Sequence, residues 1–480
     1  MGESKSNMEL LRVKGRKIVK PDGTPIQLTG TNLGCWMCME YMSLGLMGVE
    51  NKYRSCAENI LGKSKAKVFF DSFQNHFITE KEIRYLADGG ANVVRIPLNY
   101  RHFEDDRRPF HYLEEGFLKL DEVIDWCERY GIYAIIDLHA VQGSQSPDWH
   151  ADSTARYAGF WNDVTSQERF IELWKVIADR YKNRNVVAGY EIMNEPATGQ
   201  ILQLPEPYVS NWPLINEVYR RAVSEIRKID PDHIIILDGD NWSKNFDGLE
   251  APFADNLVYS SHNYSDVEFL INEYGGTYPG LINGVRWDKE RIREEFYTCQ
   301  GTQFALKYNV PLFVGETGSH HQTAFLADQL DVINEFGAHW TTWTVKDIGY
   351  TAMLRLDPDG AYMQKMGDIV DKFNPTDGRS MIPERAKMKK IIRELTWCIF
   401  DAVGDPTLRQ YDSAYKLQRT VDDVFYGNLV HPIYFKRIAE MSEEEIEDLM
   451  KSYDIENCVE HPIAGIEKAH FYNNVKGGEK

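Results

Sequence analysis

Val186-Val187-Ala188-Gly189-Tyr190-Glu191-Ile192-Met193-Asn194-Glu195-Pro196 decides how this chain is read. A β-prone apolar run ends in Asn-Glu-Pro, so a buried strand delivers a carboxylate to its own polar mouth. A second run, Val310-Pro311-Leu312-Phe313-Val314-Gly315-Glu316-Thr317, does the same with Glu316. A carboxylate at the end of a buried strand is costly unless it is paired or used, and two such positions point to a two-carboxylate site.

Outward from these two runs, short β-type segments alternate with helical ones. Strands are expected over 26–32, 92–97, 132–139, 186–194, 233–238, 257–262, 311–316 and 338–343. Thr165 and Glu168 form a capping-box pattern ahead of Phe170, Trp174, Ile177, Ala178 and Tyr181 at one-face spacing. Thr79 and Glu82 repeat the pattern before Ile83 and Leu86, and a further helix carries Leu120, Val123, Ile124 and Cys127 inward to end near Gly131. Eight strands in this alternation predict an α/β fold, a (β/α)8 TIM barrel over 1–405 whose site lies at the C-terminal strand ends. Residues 406–480 are expected to form a mainly helical extension packed on the barrel. Its markers are the Ser442–Glu445 capping box opening a helix over 443–452, and the aromatics Tyr411, Tyr415, Phe425, Tyr426 and Phe435.

Composition narrows the class. A chain of 480 residues, 43% hydrophobic and 26% charged, can bury a large core. A net charge of −19 disfavours nucleic acid and anionic membrane surfaces, both of which reward Lys and Arg clusters. Seven scattered cysteines make no disulfide framework; Cys35 and Cys38 form a lone CxxC, without a second pair at zinc-ribbon spacing, and read as reduced, packed thiols. The polar stretch Met1 to Asn7 has no apolar signal core, so a cytoplasmic protein is expected; a secreted protein with its leader removed is the alternative.

At the predicted strand ends the residues form one chemically coherent set: Arg95 on strand two, Asp137 and His139 on three, Asn194 and Glu195 on four, His262 and Tyr264 on six, Glu316 on seven and Trp343 on eight. On Arg95, His139, Asn194, Glu195, His262, Tyr264, Glu316 and Trp343 the chain resembles glycoside hydrolase family 5, over roughly residues 20 to 405. The resemblance implies a retaining β-glycosidase that needs no metal or organic cofactor. Glu195 is then the general acid/base and Glu316 the nucleophile, with Arg95 and Tyr264 holding Glu316 ionised and Asn194 gripping the sugar 2-hydroxyl. His139 and His262 are expected to be neutral donors around the sugar, and Trp343 a flat apolar wall. For any one of these residues the competing reading is a satisfied core or surface residue, which needs several coincidences to cover the set.

Other loops carry weaker signals. Gln142, Asp148, Trp149 and His150 follow strand three, and Asp240, Asn241 and Trp242 follow strand five; each group either shapes the sugar pocket or is ordinary solvated loop. His320 and His321 follow Glu316 and suit pocket lining better than metal binding. Trp36, with Met37, Met39, Tyr41 and Met42, offers either an aromatic platform or core packing. The expected substrate is a short gluco- or manno-configured oligosaccharide cut from one end by a β-mannosidase or β-glucosidase activity, the Manβ1-4GlcNAc core among the options. The alternatives are an endo-acting β-glucanase or β-mannanase, an exo-β-1,3-glucanase, and, from another class, an inactive carbohydrate-binding barrel. The oligomeric state is left open.

Overall fold

The computed structural model describes residues 8–199, 208–265, 267–319, 322–349, 351–373, 383–404, 417 and 420–477. Eight parallel strands close into a barrel in chain order: β1 Thr29–Asn32, β2 Val93–Asn99, β3 Tyr133–Ala140, β4 Val187–Glu191, β5 Ile234–Asp238, β6 Leu257–Ser260, β7 Leu312–Thr317 and β8 His339–Thr342. All eight expected strands are present. Strand one starts later than expected, because Pro25–Ile26 joins Arg12–Lys14 and Lys17–Val19 in a small antiparallel sheet. Strand four stops at Glu191, so Asn194 and Glu195 lie past the sheet.

Side chains facing into a barrel recur every second residue, and here they form two unlike layers. The lower layer is apolar: Val93, Ile135, Ile236, Val258 and Phe313 pack with Leu28 and with Ile18 of the small sheet, which plugs that end. One pleat higher the same strands carry Arg95, Asp137, Asp238, Ser260 and Gly315, joined by Glu191 on β4. The apolar plug stabilises the barrel, and the polar layer above it forms the floor of the site.

Seven helices bear on the site or its scaffold: α1 Glu50–Leu61, α2 Lys63–Phe77, α3 Glu80–Asp88, α4 Glu114–Tyr130, α5 Val164–Tyr181, α6 Trp212–Arg227 and α7 Thr323–Phe336. The Thr79–Glu82 capping box opens α3, and Gly131 ends α4 in the left-handed region at φ 69°. The expected Thr165–Glu168 box does not form. Asp163 caps α5 instead, accepting from Thr165 N and Ser166 N, so the helix begins two residues earlier and Glu168 pairs with Arg221 of α6. The alternation also lapses once, since β5 is followed only by the short turn Asp240–Ser243, with Asn241 and Trp242 at positive φ.

The C-terminal segment wraps the outside. Helices α8 Gly427–Ala439, α9 Glu443–Met450 and α10 Pro462–His470 pack on α1, α2 and α7 respectively. The Ser442–Glu445 box opens α9, which stops two residues short of the expected end. Cys458–Glu460 pairs with Leu354–Leu356, Phe471 stacks on Trp340 of β8, and the buried Lys346 ammonium donates to the Phe77 and Tyr453 carbonyls as well as to Glu82. Tyr411 and Tyr415 lie outside the described residues. No helix among the described residues is long and apolar enough to cross a membrane.

Glu467 on α10 is 1% exposed, neither of its carboxyl oxygens has a hydrogen-bond partner among the described residues, and burial raises its pKa to about 8. A carboxyl that folds protonated but unfolds ionisable stabilises the fold at low pH, and that contribution is lost as pH rises from about 4.5 towards 8. Glu467→Gln should therefore melt above the wild type at pH 8–9 and level with it near pH 5, other titrations cancelling in the difference. Equal melting points at both pH values would show that Glu467 ionises freely in the folded state.

Candidate active site

The site is built around one cation. Arg95, fully buried on β2, spreads its guanidinium across the top of the polar layer. Nε donates to Glu191 (2.5 Å), Nη1 to Asn32 (2.9 Å) and Glu316 (2.9 Å), and Nη2 to Asn194 (2.8 Å), with Asp137 3.0 Å from Nη2. Burial alone would discharge an arginine; Asp137, Glu191 and Glu316 reverse that and keep it firmly charged.

Glu316 ends β7. Arg95 holds one of its oxygens and the Tyr264 hydroxyl donates to the other at 2.8 Å. Although Tyr264 is 41% exposed as a residue, its hydroxyl end is turned inward beside Glu316 and Glu195, which raises its pKa above the usual phenol range and keeps the donor protonated. Glu195 lies four residues beyond β4 in a left-handed turn at φ 41°. His262 Nδ1 is 2.7 Å from one of its oxygens and His150 Nε2 is 3.4 Å from the other. Burial lowers the pKa of both histidines, His262 to about 4, so Glu195 faces neutral imidazoles where Glu316 faces a guanidinium. One oxygen of each glutamate and a His262 ring nitrogen lie within 4.8 Å of one another.

A profile of the family described as Cellulase (glycosyl hydrolase family 5) matches residues 55–349. Among similar proteins, a β-xylosidase of Phanerodontia chrysosporium is 31% identical, with 94% of this chain and 96% of that protein covered. This chain belongs to glycoside hydrolase family 5. It is an O-glycoside hydrolase acting on β-glycosides, in a family whose mechanism is retaining. Cellodextrinase A of Ruminococcus flavefaciens is 31% identical over 51% of this chain and 69% of its own. A crystal structure of endogalactoceramidase, at 18% identity, superposes with a TM-score of 0.52 over 71% of this chain and 75% of its own, a likeness of fold.

The remaining residues expected at the family 5 site divide in two. His139, Asn194 and Trp343 join the network: His139 Nδ1 bonds Asp137 (2.7 Å), Asn194 Oδ1 accepts from Arg95 Nη2 (2.8 Å), and Trp343 stacks on His139 at 5.3 Å and 18°. The neutral His139 expected from the sequence is corrected. Burial works against its charge, but Asp137, with Glu40 and Glu316 also near, outweighs this and raises the pKa to about 10. His139 is an imidazolium at neutral pH, and His262 is the neutral one.

Trp36 and Gln142 do not shape the pocket. Trp36 is buried in the core with its indole N–H on the Gln74 carbonyl, and Gln142 turns away to donate to Glu104. The neighbouring Cys35 and Cys38 are free and buried. Trp149, Asp148 and Trp242 instead clasp loops. Trp149 donates to Glu40 (2.8 Å), tying the loop after β3 to that after β1, and Trp242 donates to Asp148 (2.8 Å), tying it to the turn after β5. His320 lies outside the described residues.

Glu40, Glu191 and Asp238 were missed by sequence reasoning. Asp238 closes a predicted strand, and Glu191 stands on the inward parity of another, two residues above Gly189, so the period-two pattern was the available signal. Glu191, Asp238 and His262, like Glu195, His262 and Glu316, bring three potential metal-binding atoms within 4.8 Å. With the Arg95 guanidinium 2.5 Å from Glu191 and 2.9 Å from Glu316, the positive charge these carboxylates need is already in place, and we assign them to hydrogen bonding.

Removing one partner from a buried charge cluster leaves the others uncompensated. Arg95→Met should therefore destabilise the fold by about 3–5 kcal/mol in denaturant titration. A change below about 1 kcal/mol would show that the surrounding carboxyls do not depend on this cation.

Proposed function

We propose that Glu195 is the general acid/base and Glu316 the nucleophile of an exo-acting β-glycosidase on short oligosaccharides. The observation that carries the roles is the contrast between the two carboxylates. Glu316 sits in a strand, held by a guanidinium and a phenol, as a group that must stay anionic until it attacks the anomeric carbon requires. Glu195 has its oxygens against two neutral imidazoles, so it can take and release a proton without breaking a charged pair. A separation within 4.8 Å between oxygens of the two groups supports direct attack, since an inverting pair must leave room for a water. Asn194 turns its carbonyl oxygen to Arg95, which directs its NH2 group to the sugar 2-hydroxyl.

Exo action is supported by the loop clasps, which gather the loops after β1, β3 and β5 beside the mouth where an open cleft would leave them apart. The near-full-length relative is named for a β-xyloside and the shorter one for cellodextrins. Gluco-configured rings, with or without their C6 carbon, are therefore favoured over mannosides. His139 adds a fixed positive donor beside the ring, stacked on Trp343.

Glu316→Gln should abolish turnover of good and poor leaving groups alike. Glu195→Ala should cost on the order of 10²–10⁴-fold on unactivated glycosides but spare the first step for activated aryl glycosides, with azide rescuing the second. A folded Glu195→Ala protein indifferent to leaving group and azide removes the acid/base role. Product analysis should show one monosaccharide released per event from di- to tetrasaccharides. A rapid viscosity drop on a soluble β-glucan would mean endo action instead.

A further inference from the structure

We propose that Glu191 and Asp238 hold one proton between them, and that this acid–carboxylate pair is the positioning device that aims Glu195. The proposal rests on the acid/base reading of Glu195 and extends it to two residues that touch no substrate.

Both side chains are fully buried at the tops of adjacent strands β4 and β5. Glu191 Oε2 takes the Arg95 Nε–H; Asp238 Oδ2 takes the Ser243 hydroxyl at 2.5 Å and the Glu195 backbone N–H at 3.1 Å. That leaves Glu191 Oε1 and Asp238 Oδ1, both buried, with no donor among the described residues. Two carboxyls within 4.8 Å of each other, each with an idle oxygen, satisfy both if one is an acid, Asp238 Oδ1–H donating to Glu191 Oε1.

The charges around the pair agree. Facing it are Arg95 from β2, Asp137 and the His139 imidazolium from β3, neutral His262 after β6, and Glu316 from β7. Four carboxyls, those of Asp137, Glu191, Asp238 and Glu316, meet two fixed cations in a water-poor layer, and a shared proton removes the most costly of the four charges. The proton belongs on Asp238. Burial and the neighbouring Glu191 charge raise its pKa well above the carboxylate range, whereas Arg95 more than offsets burial at Glu191 and lowers it.

With its proton committed to Glu191, Asp238 keeps Oδ2 free to accept, and what it accepts is the N–H of Glu195. That residue sits at φ 41°, a left-handed backbone region that residues other than glycine rarely adopt, so it needs a fixed partner. His262 completes the hold through Nδ1, which meets the Glu195 carboxylate at 2.7 Å. Strand β7 makes room for the assembly. A Cβ on Gly315 would stand 2.9 Å from His262 Nε2 and 3.1 Å from Glu191 Oε1, tighter than real side chains tolerate. The shared proton is not transferred during turnover; it fixes geometry.

Two measurements test this. In infrared difference spectra of the unliganded enzyme at pH 8, wild type minus Asp238→Asn should show the carbonyl band of a protonated carboxylic acid, the Glu467 contribution cancelling. In kinetics, Asp238→Ala should lose on the order of 10–100-fold in kcat/KM on unactivated glycosides and far less on activated aryl glycosides. Asp238→Asn, which still donates to Glu191 and accepts from Glu195, should restore most of that loss. Absence of the band overturns the shared proton. Equal losses on both leaving-group classes, or failure of asparagine to restore activity, overturn the positioning role, and the asparagine variant keeps the test open if the alanine variant does not fold. The band is read without turnover, and Glu195→Ala with azide tests the acid/base reading separately, so the two can fail independently.

Discussion

Arg95 is the charge on which the upper half of the barrel depends. Taking a guanidinium out of water costs several kcal/mol, which is recovered only when its donors are met with good geometry. Here they are met by groups from separate parts of the barrel: Asn32 on β1, Asp137 on β3, Glu191 on β4, Asn194 just beyond β4 and Glu316 on β7. An apolar layer in the same place would stabilise the fold at least as well, as the plug around Val93, Ile135, Ile236 and Phe313 does one pleat below. What the cation adds is direction. Five side chains converge on one planar fork, and Glu316, the proposed nucleophile, is one of them.

That convergence also separates the two glutamates chemically. Glu316 shares in the cation, whereas Glu195 sits beyond the sheet against imidazoles that burial keeps neutral. Two histidines at the mouth, His139 on β3 and His262 just past β6, thus take opposite charge states from their surroundings. Asp137 holds His139 protonated, whereas at His262 burial, helped by the nearby charges of Arg95 and His139, outweighs the carboxylates beside it. Residue type alone does not carry that difference; the partner two residues away in the same strand does.

The legible part of this protein is the part written locally. The eight strands and the Thr79 and Ser442 caps follow from patterns a few residues long, and the carboxylates at the ends of strands four and seven stand out because an apolar run stops there. The Thr165 cap does not form because Asp163, two residues earlier, caps the amides of Thr165 and Ser166 and so takes Thr165 itself into the helix. Trp36 and Gln142 stay ambiguous in the sequence for a different reason: whether a loop side chain turns to the mouth or the core depends on distant partners, Gln74 and Glu104. Glu191 and Asp238 were visible on strand parity but looked like ordinary strand residues, since the cation that makes them tolerable stands roughly 100 positions upstream.

Strand geometry explains why Glu195, the proposed acid/base, needs more support than Glu316, the proposed nucleophile. Glu316 is a strand residue, its backbone bonded within the sheet and its side chain aimed by the pleat, so Arg95 and Tyr264 only have to hold a carboxylate already in place. Glu195 has left the sheet, and its φ of 41° points the side chain back over the mouth in a conformation that the chain does not favour. A retaining reaction asks this group to act twice, first donating and then accepting, without changing position between the two steps. The hold must therefore come from the neighbours on either side: Asp238 on its amide and His262 on its carboxylate, each fixed in turn by the closed barrel beneath.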